Sequence, residues 1–235
     1  MLSTKTVIML CFALTFIALC LPAYAQITSP TPPGIFNTNE KPYGIAYKDW
    51  TAKWWQWLSR IPSNYNPLND NTGKNCDVGQ NGPVWFLTGT GSATAVRSCN
   101  IPAGKAILYP VLNSQCDPVN FKDSRTESEL RECAQADDNY VITLQSSIDG
   151  HPIADLKKYR VTSSLFNISY PPNNIFGSIP VNTTAVSDGY WVFLKPLSPG
   201  KHDIRFTGIT SDNPTTGTKS FLVDVTYHIN VVKVR

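Results

Sequence analysis

None of the short motifs that tie a chain to familiar catalytic chemistry occurs in these 235 residues: no Gly-x-Ser-x-Gly elbow, no His-Glu-x-x-His, no Walker loop and no dinucleotide fingerprint. Histidine is scarce, at His151, His202 and His228. There is no Cys-x-x-Cys, and the cysteines stand at long, irregular intervals, which argues against a zinc site. Basic residues do not cluster and the formal net charge is +3, so nucleic acid has no electrostatic footing as a partner. No cofactor is expected. Beyond Leu21 no apolar run approaches the about 20 residues that a bilayer-crossing helix needs.

The one long apolar run is at the start. Lys5 precedes it, it extends from Val7 to Leu21, and Pro22-Ala23-Tyr24-Ala25 follows. A charged start, an apolar centre and a small-x-small site are what signal peptidase reads, so residues 1–25 are expected to be a signal peptide cut before Gln26. An uncleaved anchor would need a longer run. A lipid attachment at Cys20 would want a small residue where Leu19 stands. Cleavage removes Lys5, leaving a mature chain of charge +2 that is secreted or periplasmic and not membrane-spanning.

Cleavage also removes Cys11 and Cys20, leaving Cys76, Cys99, Cys116 and Cys133. An even number of cysteines in an exported chain points to two disulfides. Of the three connectivities, Cys76 with Cys99 and Cys116 with Cys133 is favoured, since each pair closes a local loop around one supersecondary unit.

Residues 26–42 carry Pro30, Pro32, Pro33, Gly34 and Pro42 and read as an extended, poorly packed leader. From 43 to 235 a single domain is expected. It opens with a helix over 43–61, because Tyr43, Tyr47, Trp50, Trp54, Trp57, Leu58 and Ile61 recur at three- and four-residue steps until Pro62 stops them. Thereafter β-branched and aromatic runs alternate with turn residues. Strands are expected near Val84–Leu87, Thr94–Cys99, Ala106–Leu112, Tyr140–Ile148, Tyr159–Phe166, Tyr190–Lys195, His202–Gly208 and Ser220–Val232, with a long loop over Tyr170–Thr184. A short helix at Ser128–Ala136 is begun by the capping-box pattern Thr126-x-x-Glu129. The fold class is therefore mainly β: a two-sheet sandwich or jelly-roll-like domain with an N-terminal aromatic helix and one short further helix.

Few residues suggest chemistry. Trp50, Trp54 and Trp57 share the packed face, whereas Trp55 lies more than about 90° round the helix and is the tryptophan expected at the surface. Gln80 and Asn81 sit in a Gly- and Pro-shaped turn, where their amides could face a ligand or satisfy backbone groups. His202 and His228 fall on strands expected to pair as the last hairpin; with Asp203 or Asp224 they are weak metal candidates, dependent on register. Asp137, Asp138, Asp149 and Asp155 include no pair that spacing singles out for glycosidase chemistry. Asn167-Ile-Ser169 and Asn182-Thr-Thr184 are N-glycosylation sequons, meaningful only in a host that uses them.

The Trp-rich helix, the segment Cys76-x-x-Gly-Gln-x-Gly-Pro-Val-Trp-Phe-Leu87, the run Cys99-x-Ile-Pro-Ala-Gly-Lys-Ala106 and the stretch from Asp188 to His202 together resemble a group of uncharacterised exported microbial proteins. The resemblance covers nearly all of the mature chain and implies an exported single domain, with no catalytic residue to carry over. The region around Pro199-Gly200-Lys201-His202 is also similar to the last hairpin of extracellular immunoglobulin-like modules. The expectation is a secreted or periplasmic, non-enzymatic module that binds a surface polymer, such as a glycan, or a partner protein. The alternatives are a secreted hydrolase with a carboxylate or His-metal site and a structural envelope subunit joined by strand addition.

Overall fold

The structure, a computed structural model, describes residues 34–91 and 93–233. The expected signal peptide, its cleavage site and residues 26–33 of the leader lie outside the described residues. The rest of the leader is docked: Ile35 bridges Leu194, and Phe36 donates its N–H to the carbonyl of Phe193 and packs edge-on against that ring at 5.1 Å.

Among the described residues, nine strands form two sheets. In the four-stranded sheet the order is β1 (Val84–Phe86), β3 (Ala106–Cys116), β7 (Val181–Leu194), β6 (Phe166–Tyr170). In the five-stranded sheet it is β2 (Ala93–Pro102), β9 (Leu222–Val232), β8 (Gly200–Thr210), β4 (Val141–Ile148), β5 (His151–Pro152). The pairs β1/β3 and β2/β9 are parallel and the others antiparallel, so this is a sandwich of mixed sheets. The Asp149-Gly150 turn joins β4 to β5 with both residues at positive φ, as a two-residue hairpin requires.

The burial pattern explains the layering. Along β9, Val223, Val225, Tyr227, Ile229 and Val231 are buried while intervening residues are not, which marks a sheet covered on one face. Along β3 and β7 burial is almost continuous. Their alternate residues serve two cores. Ile107, Tyr109, Val192 and Leu194 meet Ile204, Phe206, Val225 and Tyr227 of the other sheet. Ala106, Leu108, Trp191 and Phe193 face α1 (Tyr47–Ser59) on the opposite side. Gly208 lets the sheets approach there, since a Cβ would lie 2.6 Å from the Val111 carbonyl oxygen.

The second helix, α2 (Glu127–Ala136), begins with the expected capping box: Glu129 donates its N–H to Thr126 Oγ1, and Thr126 N–H donates to Glu129 Oε2 at 2.8 Å. Both expected disulfides are present, Cys76–Cys99 and Cys116–Cys133. The first pins residues 70–76 against the edge of β2. Buried Arg97 reinforces this join, donating to the carbonyls of Asp70, Thr88 and Gly89 and to Tyr227 Oη.

Two expectations about strands need correction. Tyr159–Phe166 is not a strand; Leu156–Tyr159 makes a 3-10 turn, and the chain then runs beside β7 irregularly until β6 begins at Phe166. Ser163 N–H does donate to the Ser187 carbonyl, but Ser187 N–H returns its bond to the Ser163 hydroxyl instead of a carbonyl, so no regular ladder forms. Conversely, β7 begins at Val181 rather than Tyr190, and the loop shrinks to residues 171–180. Val181, Asn182, Thr183 and Thr184 look loop-like in sequence yet pair in register with Tyr170, Ser169, Ile168 and Asn167.

Candidate functional site

The geometry of the site follows from how α1 is fixed. Tyr43 and Gly44 have φ of 55° and 79°, so the helix starts at Tyr47 instead of Tyr43. At the other end the buried Asn66 amide donates to the carbonyls of Leu58 and Ile61, satisfying groups the helix terminus leaves open. Three indoles are anchored by their N–H groups: Trp50 to the Pro42 carbonyl at 2.8 Å, Trp54 to Leu87 at 2.8 Å and Trp57 to Val78 at 2.9 Å. Large aromatic rings thus hold fixed orientations on the sheet.

Between α1 and the turn at residues 79–83 lies a cleft of about 520 Å³. Trp50, Trp57 and Phe86 form its floor, with Phe86 centred 5.4 Å from Trp57 and 6.3 Å from Trp50. Lys53, Gln56 and Arg60 line the helical side, and Asn81, Gly82 and Pro83 the opposite wall. Lys53 Nζ stands 5.9 Å from the Trp50 ring centre, a cation–π distance. A third cation, Lys105, donates to the Gly82 carbonyl at the rim. No carboxylate lines the cleft, and among the described residues neither Lys53 nor Arg60 is in an ion pair.

The wall depends on local backbone chemistry. Gly79 has φ of +68°, a conformation that favours glycine, and a Cβ there would press on Trp57 at 3.2 Å from Nε1. Next to it, Gln80 turns inward. Its amide accepts from Phe86 N–H at 3.0 Å and donates to the Phe86 carbonyl at 2.8 Å, replacing a missing strand neighbour at the edge of β1. Gln80 thus clamps the turn to β1, whereas Asn81 is exposed and lines the cleft.

Trp55 also needs correction. It is buried beneath the 171–180 loop, where Phe176 stacks on it at 6.3 Å. The helix is covered on this flank because β6 and that loop widen the sheet around it, which periodicity within α1 could not reveal. The uncovered flank is the other one, carrying Lys53 and Arg60, while half-buried Gln56 lines the cleft and donates its amide to the Asn167 carbonyl of β6 at 2.8 Å.

The remaining candidates do not converge on the cleft. In the β8/β9 register His202 pairs with Ile229 and Asp203 with His228, placing the two histidines on opposite faces. His202 Nδ1 lies 2.8 Å from Asp149 Oδ2 and so ties β8 to the β4–β5 turn; His228 Nδ1 lies 2.7 Å from Asp203. Asp137 accepts from Asn213 and Thr216, and Asp155 is exposed. Asp138 is buried with no hydrogen-bond partner for either carboxylate oxygen, near the Asp188–Arg160 ion pair. Asn167 and Asn182 are exposed on β6 and β7, not in a loop, and each sits opposite the hydroxyl residue of the other sequon.

Reasoning from sequence thus missed Lys53, Gln56 and Arg60 as site residues. Their signal was the polar stripe at steps of three and four beside the aromatic one, visible but indistinguishable from a solvated helix face.

No family model and no curated protein matches the chain. Among solved structures, a chain from the structure of PbICP-C in complex with falcipain-2 aligns over 64% of this chain and 100% of its own length. Its identity is 11% and its TM-score 0.22, a likeness too slight to bear on fold or function.

Proposed function

We propose that this is an exported, non-enzymatic β-sandwich module that binds a surface polymer, a glycan, in the cleft beside α1. The observation that carries the reading is a cleft whose base exposes the edges of the fixed rings Trp50, Trp57 and Phe86, 5%, 8% and 8% exposed, beside Ile45, Ile61 and Pro83, under a rim of amides and cations. Aromatic surface offers an apolar platform to sugar C–H groups, and the rim supplies hydrogen bonds that set orientation. Export is supported by the signal-like start, by the resemblance to exported microbial proteins and by two disulfides, which persist in oxidising compartments. Among the described residues, no helix is long and apolar enough to cross a membrane.

The test is to block the cleft without disturbing the core. Asn81→Trp places a bulky ring at an exposed wall position. Binding to isolated envelope polysaccharide should be lost while the unfolding midpoint stays unchanged. Undiminished binding by the variant would refute the cleft as the site, and release of shortened products from the polymer would favour the hydrolase alternative.

A further inference from the structure

Resting on that reading of the cleft, we infer that its ligand is a linear acidic polysaccharide that runs along the cleft, its carboxylates met by Lys53 and Arg60. The charge balance of the cleft points this way. Lys53 and Arg60 line it, Lys105 is held at its rim on the Gly82 carbonyl, and no carboxylate lines it. Lys53 and Arg60 are both exposed and have no ion-pair partner among the described residues, so both are available to an anion in the cleft.

Their spacing suits a repeating anion. Seven residues separate Lys53 from Arg60, which is about two helical turns or ~10.5 Å of axial rise, so both stand on one flank along the cleft. A guanidinium can take a carboxylate bidentately and an ammonium takes one as a point charge, which gives a charged chain two attachment points on either side of the aromatic floor. A neutral chain would offer both cations hydroxyl acceptors but no charge.

The probe is a galacturonate hexasaccharide, compared with the same oligomer after its carboxylates are reduced to hydroxymethyl groups. Binding to the full mature chain is measured by calorimetry. Wild type should bind the acidic oligomer at least about tenfold more tightly, and that advantage should shrink as added salt screens the charges. Lys53→Ala with Arg60→Ala should abolish the advantage and its salt dependence while leaving the unfolding midpoint unchanged.

Equal affinity for both oligomers, still blocked by Asn81→Trp, would overturn the acidic assignment and leave the cleft reading standing. Acidic binding that survives in Asn81→Trp would overturn both. Failure of the acidic oligomer to bind, or tighter capture of polyglutamate than of the oligosaccharide, would also overturn the inference, the latter in favour of an acidic protein segment.

Discussion

The four-stranded sheet has two faces that solve the same packing problem differently. Towards the five-stranded sheet, Ile107, Val111, Val192 and Leu194 meet Ile204, Phe206, Val225 and Ile229 in an extended interface between two flat surfaces. Towards α1, Leu108, Trp191 and Phe193 meet Tyr47, Trp50, Trp54 and Trp57. A cylinder resting on a sheet cannot cover it evenly. Large indoles fill the gap beneath the helix, and Phe176 closes it on the β6 side, but the β1 side stays open as the cleft. The lesson is that the face needing the bulkiest side chains is also the one left with a concave, partly aromatic surface.

The largest effects should come from emptying either core. Phe206→Ala and Trp54→Ala should each cost about 3–5 kcal/mol in denaturant unfolding. They differ in their second effect. Trp54 contacts Trp57 at 6.1 Å and should disturb the cleft, so the few folded molecules of Trp54→Ala should bind polymer poorly, while folded Phe206→Ala should bind normally. Equal binding by both would erase the distinction between the faces.

The disulfides sharpen it further. They close loops of similar length, with sequence separations of 23 and 17, and removing either by Cys→Ala pairs should cost about 3 kcal/mol in the chain-entropy account. Cys76 leads directly into the cleft wall, through Val78, whose carbonyl anchors Trp57. Cys133 lies on α2 and packs with Leu130 and Val186. Loss of Cys76–Cys99 should therefore weaken binding and loss of Cys116–Cys133 should not.

A smaller effect, and one independent of the cleft, concerns Asp138. Burial and then the adjacent Asp188 hold its carboxyl well above the usual carboxylate range, against the opposing pull of Arg160. The folded protein thus keeps a proton that the unfolded chain loses near pH 4. Stability from this group is fully present below that pH and declines as pH rises towards the folded value. Asp138→Asn should remove the decline and raise stability at neutral pH by about 1–3 kcal/mol, read as a flatter profile of unfolding midpoint against pH. A variant with the wild-type pH slope would contradict this.

Much of this architecture was legible in the chain. The disulfide pairs follow from local loops, and the alternation in β8 and β9 is plain because only one face of their sheet is covered. What escaped depended on tertiary neighbours. Val181–Thr184 reads as loop because polar Asn182, Thr183 and Thr184 follow a Pro- and Gly-rich stretch, on a strand whose partner, β6, is itself short. Trp55 reads as exposed because the phase of α1 says nothing about how far the sheet wraps round it. Lys53 and Arg60 read as an ordinary wet face until the turn at 79–83, folded by Gly79 and the Gln80 clamp, builds a wall opposite them.

The most direct measurement of whether that wall and helix form a binding site is a titration of the isotope-labelled protein with envelope polysaccharide fragments, following the six indole N–H resonances. Those of Trp50 and Trp57 should shift, and those of Trp85, in the core between the sheets, and Trp191, beneath α1, should stay in place. Shifts at Trp85 or Trp191 without any at Trp50 and Trp57, or none at all in the presence of a polymer that binds, would contradict the account.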